Sequence, residues 1–175
     1  MTAARYERKS QRTRGTVGPN LGGIVGAALV AVAVLGLPAA PTGAATTERV
    51  VSDYHTGLAI SGFDPVAYFI DRQAETGRPE FELRLAGVTW RFRNEGNRAA
   101  FAADPEIYRP QFGGYDPVAI ARGTSVPGHP QVWLVTGQRL YLFYSKEARA
   151  EFAAQAQSLL SLAERRWPDV QRSLP

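Results

Sequence analysis

The sequence predicts an α+β domain: a small antiparallel sheet built from two β-hairpins, with short capped helices and a C-terminal amphipathic helix. Three observations predict it. Two stretches alternate apolar and polar residues around turn residues. A six-residue phrase with helix-capping character occurs twice, and the chain closes on an apolar stripe at helical spacing. Strand pairs and helices interleave without the regular βαβ rhythm of a parallel sheet.

The first 45 residues stand apart from this domain. Arg5, Arg8, Lys9, Arg12 and Arg14 precede an uncharged run from Leu21 to Leu37, and small residues follow through Ala44 and Ala45. A basic region, an apolar core and a small-residue exit together predict an export signal over residues 1–45, cleaved after Ala44 or Ala45. An uncleaved signal-anchor is the rival, since the run reaches the short end of a membrane-spanning length. Either way the expected location is periplasmic or extracytoplasmic, with the membrane touched only through this N-terminal segment. The segment holds five of the 20 Lys and Arg but one of the 16 Asp and Glu, leaving 15 against 15 beyond it. The pI near 9.7 is therefore a property of the leader and leaves no electrostatic footprint for nucleic acid.

There is no cysteine, and the single methionine is Met1. Thiolate nucleophiles and any thiolate-bound metal or cluster are excluded, and an exported chain of this kind is held by packing without disulfides.

Residues 46–60 form a polar lead-in containing Tyr54 and His55. The repeated phrase begins next: Gly62-Phe63-Asp64-Pro65-Val66-Ala67, then Gly114-Tyr115-Asp116-Pro117-Val118-Ala119. In each copy Gly permits a tight entry, Asp accepts from free helix N–H groups and Pro suits a first helical turn. Short helices are expected over 65–70 and 117–122, the second closed by Gly123. The echo is read as ending at its six residues, with no longer repeat. The first hairpin runs through Phe81, Leu83 and Leu85, turns at Ala86-Gly87, and returns through Val88, Trp90 and Phe92. Asn94 caps a helix carrying Phe101, and Asp104-Pro105 restarts it with Ile107 and Tyr108 turned inward. A loop with Gln111, Phe112 and Gly113-Gly114 leads to the second phrase. The second hairpin spans 131–144 with its turn at Gly137-Gln138. Ser145 caps the last helix, whose stripe is Ala148, Phe152, Ala156, Leu159, Leu160, Ala163 and Trp167, with Pro168 ending the pattern.

Several of these segments carry a resemblance. Asp64-Pro65-Val66-Ala67-Tyr68-Phe69, Val88-Thr89-Trp90-Arg91-Phe92 and the run from Asn97 to Tyr108 resemble the YHS domain. More closely, they resemble the exported bacterial branch of YHS domain-containing proteins, which includes selenoproteins. The likeness continues through Gln111-Phe112-Gly113-Gly114-Tyr115, Trp133, Gly137, Leu140-Tyr141-Leu142 and Trp167-Pro168. It implies a YHS-like domain over 61–170 followed by a short tail, 171–175. Where members of the family carry Cys or selenocysteine, this chain has Ala67, Asn97 and Asp116, so it matches the scaffold without its thiol chemistry.

The function expected from this reading is an exported YHS-type accessory or binding module at the cell envelope, non-catalytic, with an unidentified small-molecule or protein partner. A ligand pocket is expected from Tyr68, Gln111, Phe112, Gly114, Tyr115 and Asp116, aromatic walls with a few polar contacts. One alternative is a metal-binding protein using His55 and His129 with Asp53, Asp64 or Asp116; a haem on one of these histidines is a variant of it. Another is an enzyme built on the loop from Gly113 to Asp116, for instance with Asp64 and Asp116 as paired carboxylates. Their helix-starting positions weigh against proton transfer, and Ser61, Ser125 and Ser145 lie in no nucleophile elbow. No residue is assigned a catalytic role.

Overall fold

The computed structural model describes residues 50–174; the expected leader lies outside the described residues. The order of elements is a 3₁₀ turn at Ile60–Gly62, α1 (Ala67–Ile70), β1 (Arg78–Leu85), β2 (Val88–Phe92), α2 (Glu95–Ala103) and α3 (Pro105–Tyr108). A second 3₁₀ turn at Gln111–Gly114 follows, then α4 (Pro117–Ala121), β3 (His129–Thr136), β4 (Arg139–Phe143) and α5 (Lys146–Arg172). The class is α+β as expected, but the two hairpins remain separate two-stranded antiparallel sheets.

These elements are one unit built twice. Both 3₁₀ turns contain consecutive left-handed residues: Ile60, Ser61 and Gly62 at φ 44, 54 and 77, then Phe112, Gly113 and Gly114 at φ 54, 61 and 90. Just before each turn a parallel bridge reaches the returning strand of the hairpin, from Leu58 to Thr89 and from Pro110 to Leu140. The Gly77 N–H donates to the Gly62 carbonyl at 2.9 Å, and the Gly128 N–H donates to the Gly114 carbonyl at the same distance. Each hairpin has its irregularity at the same place, after Arg78 and after His129, where Pro79 and Pro130 sit without an N–H to pair. Asn94 and Ser145 cap the following helices through the N–H groups of Asn97 and Ala148. Even the helix breaks correspond. Asp104 separates α2 from α3 at φ −138, and Gln155 kinks α5 at φ −136. The repeated phrase is thus the visible part of a longer repeat, which corrects the expectation that it ended at six residues.

The core divides accordingly. Val66, Trp90, Phe92 and Phe101 pack together in the first repeat, and Val118, Tyr141, Phe143 and Phe152 occupy the same places in the second. The Trp90 and Phe101 ring centroids lie 4.9 Å apart, and those of Tyr141 and Phe152 lie 5.1 Å apart. The reverse faces of the hairpins differ. In β3–β4 that face carries Trp133, Val135, Leu140 and Leu142, which pack into the first repeat's core. In β1–β2 the matching positions are Glu82, Arg84, Thr89 and Arg91, and Arg91 Nε pairs with Glu82 Oε1 at 2.7 Å. The repeats therefore stack head to tail. The charged outer face of the first hairpin closes the stack, as terminal units do in repeat proteins.

Three local expectations change. Residues 58–60 are core rather than lead-in: Ala59 and Ile60 are buried, and the Val51 N–H donates to the Gly113 carbonyl at 2.8 Å. Ile107 is 47% exposed, because α3 is one short turn whose inward contact is made by Tyr108 against Phe69. Finally, α5 runs through Pro168 to Arg172; buried Val170 and Leu174 anchor the last turn, offsetting the amide that proline removes.

Candidate functional site

Asp64 and Asp116 are 0% and 2% exposed. Asp64 Oδ1 accepts the Val66 N–H at 2.8 Å and the Ala67 N–H at 3.4 Å. Its Oδ2 accepts the Arg93 N–H at 2.9 Å and the Asn97 amide at 2.7 Å. Asp116 Oδ1 accepts the Val118 N–H at 2.8 Å, and Oδ2 accepts the Tyr144 N–H at 3.0 Å. Each carboxylate thus ties the start of a short helix to the end of a hairpin. Both oxygens of each carboxylate are thus engaged by N–H donors.

The six residues expected to share a ligand pocket do not converge on one: Gln111 and Phe112 line one concavity and Asp116 another. Tyr68 is fully buried in the first core; its hydroxyl donates to the Pro130 carbonyl at 2.9 Å, and its ring meets Trp133 edge-on at 5.3 Å. Burial, with the Asp64 charge behind it, pushes the Tyr68 phenol well above its ordinary range. Gly114 is buried in the 3₁₀ turn, and Tyr115 lies against Trp167 with centroids 6.0 Å apart. Gln111 and Phe112 do line an open groove, of about 610 Å³, between the β3–β4 turn and the second half of α5.

That groove has one aromatic side and one apolar side. Phe112 and Tyr141 give it an aromatic wall, with centroids 6.4 Å apart, and Leu160 closes the apolar side. At its rim Arg139 Nη1 donates to Gln111 Oε1 at 3.1 Å, and Glu164 lines the α5 side. Burial pushes the Tyr141 phenol up; the Arg139 charge opposes this and the Glu164 charge adds to it, so the hydroxyl remains a donor at neutral pH. Sequence reasoning missed Arg139, Tyr141, Leu160 and Glu164. A signal was present: Gln157, Leu160 and Glu164 step by three and four along one face of a helix.

The two histidines are placed apart in kind. His55 is exposed in a turn where Asp53 Oδ1 accepts the His55 N–H at 3.1 Å, the Thr56 N–H at 2.8 Å and the Thr56 hydroxyl at 2.8 Å. The hydrogen bond from the Thr56 hydroxyl, first among its causes, holds the Asp53 carboxyl below its ordinary value. His129 is exposed at the start of β3, and its Nδ1 accepts the Gln131 N–H at 3.2 Å. Among the described residues no group of three or more His, Asp or Glu side chains is arranged to hold a metal ion. No helix among them is long and apolar enough to cross a membrane. Comparison with family models, with curated proteins and with solved structures returned no match.

Proposed function

We propose that this chain is an exported YHS-type binding module of the cell envelope, and that its ligand lies in the groove over Phe112 and Tyr141. The observation that carries the reading is the groove itself: about 610 Å³ with an aromatic wall, a guanidinium, an amide and a carboxylate at its rim. This chemistry suits a planar organic ligand with both donor and acceptor groups, stacked on the rings and fixed by Arg139, Gln111 and Glu164. The carboxylates of Asp64 and Asp116, each tying a helix start to a hairpin end through backbone N–H groups, support a non-catalytic role. Titration with a library of small aromatic carboxamides and carboxylates, followed by amide NMR, tests it. Saturable shifts should concentrate at Gln111, Arg139, Tyr141 and Glu164 and vanish in Gln157→Trp, which fills the groove from an exposed position. Shifts centred on His55 and His129, or none at the groove, would overturn it.

A further inference from the structure

The two repeats differ at a position that borders a cavity. In the first, the Asn97 side chain, buried on α2, donates its amide to Asp64 Oδ2 at 2.7 Å. Its counterpart three residues after the second cap is Ala148, which brings no donor. Asp116 therefore keeps the Val118 and Tyr144 N–H groups, while Asp64 has those two equivalents, the more distant Ala67 N–H and the Asn97 amide besides. A cavity of about 300 Å³ lies here, lined by Asp116, Tyr144, Ser145 and Ala148, the counterparts of Asp64, Arg93, Asn94 and Asn97. A buried carboxylate with fewer donors than its twin gains from one more.

The walls and mouth define what would bring that donor. Val118, Ala119 and Val126 are apolar. Thr124, Glu147 and Glu151 stand with Arg122 in the remaining lining, and Arg122 Nη2 is already bound to both Glu151 oxygens at 2.7 and 2.8 Å. Three carboxylates against one guanidinium leave the lining net negative. We propose that the cavity binds a small alkylammonium ion, its N–H donating to Asp116 Oδ2 where the first repeat uses the Asn97 amide, and its carbon chain against Val118 and Ala119. The first repeat thus contains, as a side chain, the donor that the second takes from solution. This site shares no lining residue with the groove over Tyr141, so the two stand or fall separately.

The test is titration of the purified protein with ethylammonium chloride, read by amide NMR, with potassium chloride at equal ionic strength as the reference. Saturable shifts of the Tyr144, Ser145 and Ala148 amides are expected with ethylammonium and not with potassium. Ala148→Asn rebuilds the missing amide; it should weaken binding by about tenfold or more and raise the melting temperature. If Ala148→Asn folds poorly, Ala148→Gln reaches the same space with one more methylene. Gln157→Trp should leave ethylammonium binding unchanged. Absence of saturable shifts in the parent protein, equal shifts with potassium, or unchanged binding in a folded Ala148→Asn or Ala148→Gln variant would overturn the proposal.

Discussion

Asp64 and Asp116 do the same work in the two repeats. In each, Oδ1 accepts the N–H two residues ahead at 2.8 Å, and Oδ2 accepts the N–H that follows the returning strand, at 2.9 Å from Arg93 and 3.0 Å from Tyr144. One carboxylate thereby fixes a helix start against a hairpin end. An amide cannot replace it, because only one of its two heavy atoms accepts. Asp64→Asn and Asp116→Asn should each cost about 1–3 kcal/mol, Asp64→Asn more because the Asn97 amide also loses its acceptor. Urea unfolding of the two variants checks the order.

Gly77 and Gly128 are close-approach positions. A Cβ on Gly77 would lie 2.4 Å from the Arg91 backbone carbon, and one on Gly128 would lie 2.6 Å from Leu142 Cβ. Neither neighbour is the far end of a flexible side chain. Gly77→Ala and Gly128→Ala should each destabilise by about 1–3 kcal/mol. Gly87→Ala meets nothing within 4 Å and costs only its strain at φ +81, so its midpoint in urea should fall least of the three.

The opposite reverse faces of the hairpins predict an asymmetry. Leu142→Arg, which copies its counterpart Arg91, buries an unpaired charge and should cost about 3–5 kcal/mol. Arg91→Leu removes a partly exposed ion pair with Glu82 and should change stability by about 0–1 kcal/mol. Thermal melts of the two single variants give the comparison directly.

Much of this organisation was legible in the chain, and the part that was not has physical causes. Capping and turn chemistry at Asp64, Asp116, Asn94, Ser145 and Gly137 announced themselves, because those residues act locally. The longer repeat did not. The segment between Asp116 and Gly128 is one residue shorter than that between Asp64 and Gly77, so the offset slips from 52 to 51 along the chain. Beyond the slip, Phe101 and Phe152 are identical but isolated, and Trp90 matches Tyr141 in shape rather than letter. The reverse faces also have opposite polarity, because one packs on a neighbour and the other meets water. The groove escaped for another reason: Arg139 and Glu164 converge on Gln111 only after α5 docks on the second hairpin.

Alkaline pH should weaken the fold through Tyr68. Its phenol has an ordinary value of 10.0 and is raised in the folded state by burial first and the Asp64 charge second. The folded chain therefore holds a proton that the unfolded chain releases near pH 10. The stabilisation is complete below that value and is lost as pH rises toward the folded value, by at most about 1.4 kcal/mol per pH unit. Tyr68→Phe should flatten the fall in stability above pH 10. A smaller slope should persist from Tyr141, which is shifted the same way. Urea midpoints measured from pH 8 to 11 give both slopes.

Native mass spectrometry of the protein purified from the envelope fraction of its own host tests the central claim most directly. The binding-module account predicts the processed chain carrying an organic adduct, and predicts that Gln157→Trp, prepared the same way, carries none. A metal adduct that disappears when His55 and His129 are both replaced by alanine would contradict it and move the site to the histidines.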